Sequence, residues 1–223
     1  MTVCLQGGGE FSPRCRDMDR ALLEQVEGPV VVTALAGRLG SDYRTASANG
    51  VRHFRALGAS DVVAAPDVRE QPQEALAVLR TARLLVLPGG SPARLLDALI
   101  GTPAGDLVVA LLAAGGSVMG ASAGAMVLCS WTVLPDRRMA VVPGLGVVPG
   151  HLVVPHWSGA QGAWLRAVER DVPDDVQVLG LPEESGVYVE DGVLRAVGTS
   201  ATRLVREERD LPVGTSWRPD AAT

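Results

Sequence analysis

This 223-residue chain is short of rings: Phe, Trp and Tyr make up only 4% of it, although 47% is apolar. A core without aromatics has to be filled by Val, Leu and Ala, the usual material of parallel strands buried on both faces. Basic clusters are also missing and the formal net charge is −5, which excludes nucleic acid and anionic membrane surfaces as expected partners. Cysteine is sparse. Cys4, Cys15 and Cys129 are widely spaced, with neither a metal-ligand nor a disulfide pattern, so a reducing cytoplasm is expected, with no metal and no cofactor. No basic region precedes an apolar run at the N-terminus, so no signal peptide is expected. Charge is absent from Leu107 to Leu134, a length that raises a membrane span. Glycine breaks at Gly115-Gly116 and Gly120 to Gly124 do not suit one continuous helix, and the run reads instead as a buried helix, a strand and a second helix.

What is present alternates. Strand-like runs at Thr2–Gln6, Pro29–Ala36, Asp61–Ala65, Arg83–Leu87 and Ser117–Ala121 are separated by helical spacing at Arg16–Glu27, Asp42–Leu57, Glu70–Ala82, Pro92–Leu99 and Asp106–Ala114. That order predicts an α/β fold, a doubly wound and mostly parallel sheet. After Leu134 the pieces become short and β-rich, with one helix expected over Gly159–Arg170 and a hairpin turn at Glu190-Asp191-Gly192, so the C-terminal part should add antiparallel strands. Residues 1–205 read as a single domain, and 206–223, charged and Pro-rich, as a loosely packed tail.

The chemistry centres on Gly120-Ala121-Ser122-Ala123-Gly124-Ala125. A G-x-S-x-G pentapeptide between strand and helix signals reads as a nucleophile elbow: a sharp turn strains the serine and exposes its hydroxyl, and the glycines let strand and helix pass closely. The next amide, Ala123, falls at a helix N-terminus, where unsatisfied donors favour a developing oxyanion. A tight small-residue junction without chemistry fits the same pentapeptide.

A serine hydroxyl needs a base, usually histidine, held by a third group. The chain has only His53, His151 and His156. His53 lies in a polar helical stretch and reads as a surface histidine. His151 and His156 flank a strand-like run and, five residues apart, face opposite ways, so at most one meets the serine. His156 ends the run, and strand ends are where open α/β sheets build their sites; it is the expected base. The acid is open: Glu183 and Glu184 follow the apolar run Val176–Leu181, Asp136 follows the elbow helix, and spacing does not choose. Chain order disfavours the standard α/β-hydrolase, whose histidine comes last and near the C-terminus. Here His156 is the last histidine and Asp136 the only acid between it and Ser122, which leaves serine, histidine, glutamate as the simpler order.

Several stretches together resemble the serine peptidases of the dipeptidase E and cyanophycinase family, whose fold is similar to class I glutamine amidotransferases. They are Leu5-Gln6-Gly7-Gly8-Gly9-Glu10, Leu87-Pro88-Gly89-Gly90-Ser91, Gly120–Ala125, Pro143–Pro149 leading to Pro155-His156-Trp157, and Gly180–Val187. The resemblance implies Ser122 as nucleophile, His156 as base and acid, and Glu183 as the orienting carboxylate. It also implies an oxyanion hole from the amides of Gly90 and Ala123, with Ser91 and Trp157 facing substrate. Val154-Pro155 stands where cyanophycinases tend to carry Asp-Gln, and no arginines follow His156 directly, so cleavage of an Asp-Arg polymer is not expected. The expected activity is hydrolysis of an amide, most simply in a small peptide, through an acyl-enzyme, with room for a homodimer. An amidase or esterase of a specialised small molecule, or a non-catalytic ligand-binding member of the fold, are the alternatives.

Overall fold

A computed structural model describes residues 1–219. The first half alternates strands β1 (Val3–Gln6), β2 (Val30–Val32), β3 (Val62–Ala64), β4 (Leu84–Leu87) and β5 (Ser117–Ala121) with helices. These are α1 (Arg16–Leu23), α2 (Ser41–Ala56), α3 (Pro72–Leu79), α4 (Pro92–Leu99), α5 (Pro103–Ala113) and the short α6 (Ala123–Leu128). Proline opens α3, α4 and α5, where its missing N–H is no loss. The hydroxyls of Ser91 and Thr102 cap α4 and α5 by accepting from the Arg94 and Gly105 amides.

The five strands form a parallel run in the order β1-β5-β4-β2-β3. From β1 the chain moves out to β2 and β3, then returns through β4 and β5 to lie beside β1. Right-handed crossovers place helices on one face on the way out and on the other on the way back. The cores agree. Cys4, Val30, Val32, Leu84 and Met119 pack with Leu22 of α1 and Phe54 of α2, while Leu5, Val31, Leu85 and Val118 pack with Leu79, Leu95 and Val108 of α3, α4 and α5. The sheet is doubly wound, as its alternating sequence implied.

The second half adds β6 (Cys129–Leu134), β7 (Ala140–Pro143), β8 (Val148–Val154), α7 (Gly162–Asp171), β9 (Gln177–Gly180), β10 (Ser185–Glu190), β11 (Val193–Gly198), β12 (Thr202–Leu204), β13 (Arg209–Leu211) and β14 (Ser216–Trp217). β10, β11 and β14 extend the first sheet beyond β1, antiparallel as expected. The others form a second sheet, β13-β12-β9-β8-β6-β7, in which β6, β8 and β9 run parallel. Leu152, Val153, Val178 and Leu179 of this sheet join the same core as α6. The expected loose tail is corrected: β13 pairs with β12 and β14 with β11, and Leu211 is buried among the core residues. Residues 220–223 of that tail lie outside the described residues. The uncharged run from Leu107 to Leu134 divides into most of α5, then β5, α6 and β6, and no single helix among the described residues is long and apolar enough to cross a membrane.

Candidate active site

The site lies at the carboxyl ends of the neighbouring strands β1 and β5, where Gln6 and Ala121 are in register. Ser122 leaves β5 at φ 47°, ψ −108°, a conformation that costs a non-glycine residue about 1–3 kcal/mol. Two restraints hold it there. Its amide donates to the Gln6 carbonyl at 2.9 Å, and β5 lies so close to α6 that a Cβ on Gly120 would come within 2.5 Å of the Gly124 carbonyl carbon.

The Ser122 Oγ lies 2.9 Å from His156 Nε2, and His156 Nδ1 lies 2.5 Å from Glu183 Oε1. With a carboxylate on Nδ1, that nitrogen carries the proton, and the Nε2 lone pair faces the serine hydroxyl. The two side chains are 51% and 56% exposed, so the pair is open to solvent and to a substrate. His156 follows β8 in a left-handed conformation, φ 52°. Its amide donates to the Gly7 carbonyl at 2.9 Å, and its carbonyl accepts from Gln161 Nε2 at 2.8 Å.

The glycine run after β1 is the floor of this arrangement. A Cβ on Gly8 would meet His156 Cε1 at 2.4 Å, so any side chain there would push the imidazole out. The Gly8 carbonyl accepts from the Glu184 amide at 2.8 Å, fixing the turn that carries Glu183. Gln6, Gly7 and Gly8 thus hold, in succession, the backbones of Ser122, His156 and Glu184.

The competing acids are engaged elsewhere. Glu184 receives Arg14 Nε at 3.0 Å and the Ser12 hydroxyl at 2.9 Å. Asp136 accepts from the Ser91 hydroxyl at 2.9 Å. Ser91 is therefore tied to Asp136 as well as capping α4. Trp157 lies against Gly180 and lines a cavity of about 480 Å³ with Leu165, Val168 and Val205. His151 is buried on β8 with Nδ1 2.6 Å from the Pro149 carbonyl, and burial pulls its pKa down. His53 is not a surface residue: its side chain is 7% exposed and its Nε2 lies 2.7 Å from Oδ2 of the fully buried Asp19. The polar neighbours of His53 in sequence face outward while its own position on α2 turns toward α1. Among the described residues, the amides of Gly90 and Ala123 donate to no other protein group.

Sequence reasoning missed Glu10, which binds the Gly89 amide at 2.8 Å, and Gln161. The proximity of Gly8 to His156 had a signal in the Gly7-Gly8-Gly9 run; Gln161 had none.

The family model for peptidase family S51 matches residues 3–197. The chain belongs to this family. It is accordingly a serine peptidase-like hydrolase. Among solved structures it is similar to a peptidase from an acI-B1 actinobacterium, with a TM-score of 0.85 and 24% identity over 97% of this chain and 96% of that one. It is also similar to a peptidase E-type protein from Listeria monocytogenes EGD-e, with a TM-score of 0.68 and 16% identity over 89% of this chain and 98% of that one. At these identities the likeness carries the fold. No curated protein matches the chain.

Proposed function

We propose that this S51 member hydrolyses an amide bond in a small peptide through an acyl-enzyme on Ser122. The observation that carries the reading is the continuous line from Ser122 Oγ through both nitrogens of His156 to Glu183. His156 Nε2 takes the hydroxyl proton as Ser122 Oγ bonds to the scissile carbonyl carbon. The same nitrogen then gives that proton to the leaving amine as the C–N bond breaks. Water enters by the same route in reverse, and the product acid leaves. Glu183 holds the imidazole in the useful tautomer and stabilises the imidazolium that forms in each half-reaction. The free amides of Gly90 and Ala123 are the donors for the tetrahedral oxyanion, and Ser91 and Trp157 border the substrate on the Gly90 and His156 sides.

The test is covalent. A fluorophosphonate should phosphonylate Ser122, with fluoride leaving, and mass spectrometry should find the adduct on the peptide that contains it. Ser122→Ala should remove both the adduct and peptide hydrolysis, the latter by about 10⁶-fold. Undiminished turnover in the folded alanine variant would exclude Ser122 as nucleophile.

A further inference from the structure

We infer that Glu10 is a positioning residue that sets the orientation of the Gly90 amide for the reaction at Ser122. The inference rests on the reading of Gly90 as an oxyanion donor.

Three consecutive amides follow β4, and they are treated differently. Gly89 N–H donates to Glu10 Oε1 at 2.8 Å. Ser91 N–H donates to the Ala36 carbonyl at 2.9 Å. Gly90 N–H, between them, donates to nothing among the described residues. The peptide bearing this free amide is therefore oriented by the two tied peptides on either side. One tie comes from the loop after β1, the other from the loop after β2.

Those ties matter because the segment is Gly-Gly. Two glycines in succession have the widest backbone freedom available, and Gly90 itself sits at φ +145°. A flip of the Gly89–Gly90 peptide would replace the free N–H with a carbonyl and put repulsion where an oxyanion has to form. On the Gly90–Ser91 side the restraint is the Ser91 bond to the Ala36 carbonyl, which lies so close that a Cβ on Gly90 would come within 2.5 Å of its oxygen. On the Gly89 side the described restraint is the carboxylate of Glu10.

Position supports the role. A Cβ on Gly89 would lie 3.0 Å from Glu10 Oε1 and 3.2 Å from Ser122 Cβ, so the carboxylate and the serine flank the same glycine. Glu10 is only half-buried, and no basic side chain pairs with it among the described residues. An unbalanced negative charge beside a developing oxyanion is unfavourable in itself. What a carboxylate offers in return is a strong acceptor for a backbone N–H. Its own backbone is steadied next door, where the Phe11 ring packs 5.4 Å from His53.

Three variants separate the bond from the charge, with the rate of fluorophosphonate labelling at Ser122 as readout, since attack on P=O uses the same oxyanion donors. Glu10→Gln keeps an acceptor for Gly89 N–H and drops the charge; labelling should stay within about five-fold of wild type. Glu10→Asp keeps the charge but is one methylene short, and Glu10→Ala removes both. Each should slow labelling by about 10- to 100-fold, below the 10²–10³ that a lost oxyanion donor costs, with saturation by the probe little changed. Should the alanine variant fail to fold, the aspartate variant carries the test. A glutamine variant as slow as alanine would overturn the inference and point to a role for the charge, as would folded aspartate and alanine variants that label at the wild-type rate. Labelling that persists in Ser122→Ala would instead refute the nucleophile itself, a distinct failure.

Discussion

Two histidine–carboxylate pairs among the described residues have similar bond lengths and opposite settings, the first joined through Nδ1 and the second through Nε2. His156 and Glu183 are joined at 2.5 Å with side chains half exposed, whereas His53 and Asp19 are joined at 2.7 Å with side chains 7% and 0% exposed. Beside the first stands the Ser122 hydroxyl. Beside the second stand Phe11, Phe54 and the Gln6 amide, which donates to the other Asp19 oxygen at 2.5 Å. A histidine on a carboxylate is thus not in itself a catalytic group. What distinguishes the first pair is a serine hydroxyl on the free nitrogen and exposure to solvent. The buried pair instead ties α1 to α2 and, through Gln6, to the strand end that supports Ser122.

The comparison breaks most visibly in kinetics. His156→Ala should lower peptide hydrolysis by roughly 10⁵- to 10⁶-fold, as expected when a base is lost from a serine–histidine unit, and Glu183→Gln by about 10⁴-fold through the wrong tautomer. His53→Ala should leave hydrolysis by the folded protein within about ten-fold. Steady-state rates on one peptide substrate, for the three variants side by side, decide it. A His53 variant as inactive as His156→Ala would mean that the buried pair takes part in the chemistry.

In stability the order reverses. Asp19→Ala should cost about 3–5 kcal/mol, because it leaves the buried His53 and Gln6 side chains without their shared partner. Glu183→Ala removes a half-exposed contact whose contribution is about 1 kcal/mol or less. Denaturant unfolding of both variants measures the two values. Equal losses would show that burial does not separate the pairs.

How much of this was legible in the sequence differs between the two pairs. Ser122 announced itself because an elbow is local: five consecutive residues dictate the turn. His156 was readable from its place at the end of an apolar run, and the resemblance carried Glu183. The His53–Asp19 bond joins residues 34 apart, and nothing in the polar surroundings of His53 marks one inward-facing position. The parallel half of the fold was plain from its alternation of strands and helices. The second sheet was not, since β6 begins at Cys129 directly after Leu128 of α6 with no Gly or Pro between them to signal the change. β12, β13 and β14, at two or three residues each, are too short to show a period of two. Their pairing is imposed by β9 and β11, which are already in place.

His151 sharpens the contrast from a third direction, because it is buried with no carboxylate bond among the described residues. Burial lowers its pKa from the ordinary 6.5, against the smaller opposing pull of the Pro149 carbonyl and the charge of Glu207. The sign follows. A folded-state pKa below the unfolded one means that the unfolded chain binds this proton more readily, so the contribution of His151 is intact above about pH 6.5 and stability falls as the pH drops below it. Unfolding free energies measured at pH 7.5 and pH 5.5 should differ more in the wild type than in His151→Gln, by an amount on the order of 1 kcal/mol. This is the smallest effect of the set, and it isolates what a buried imidazole does when no carboxylate stabilises its charged form. A variant with the same slope as wild type would assign the acid sensitivity to other groups and leave His151 as packing alone.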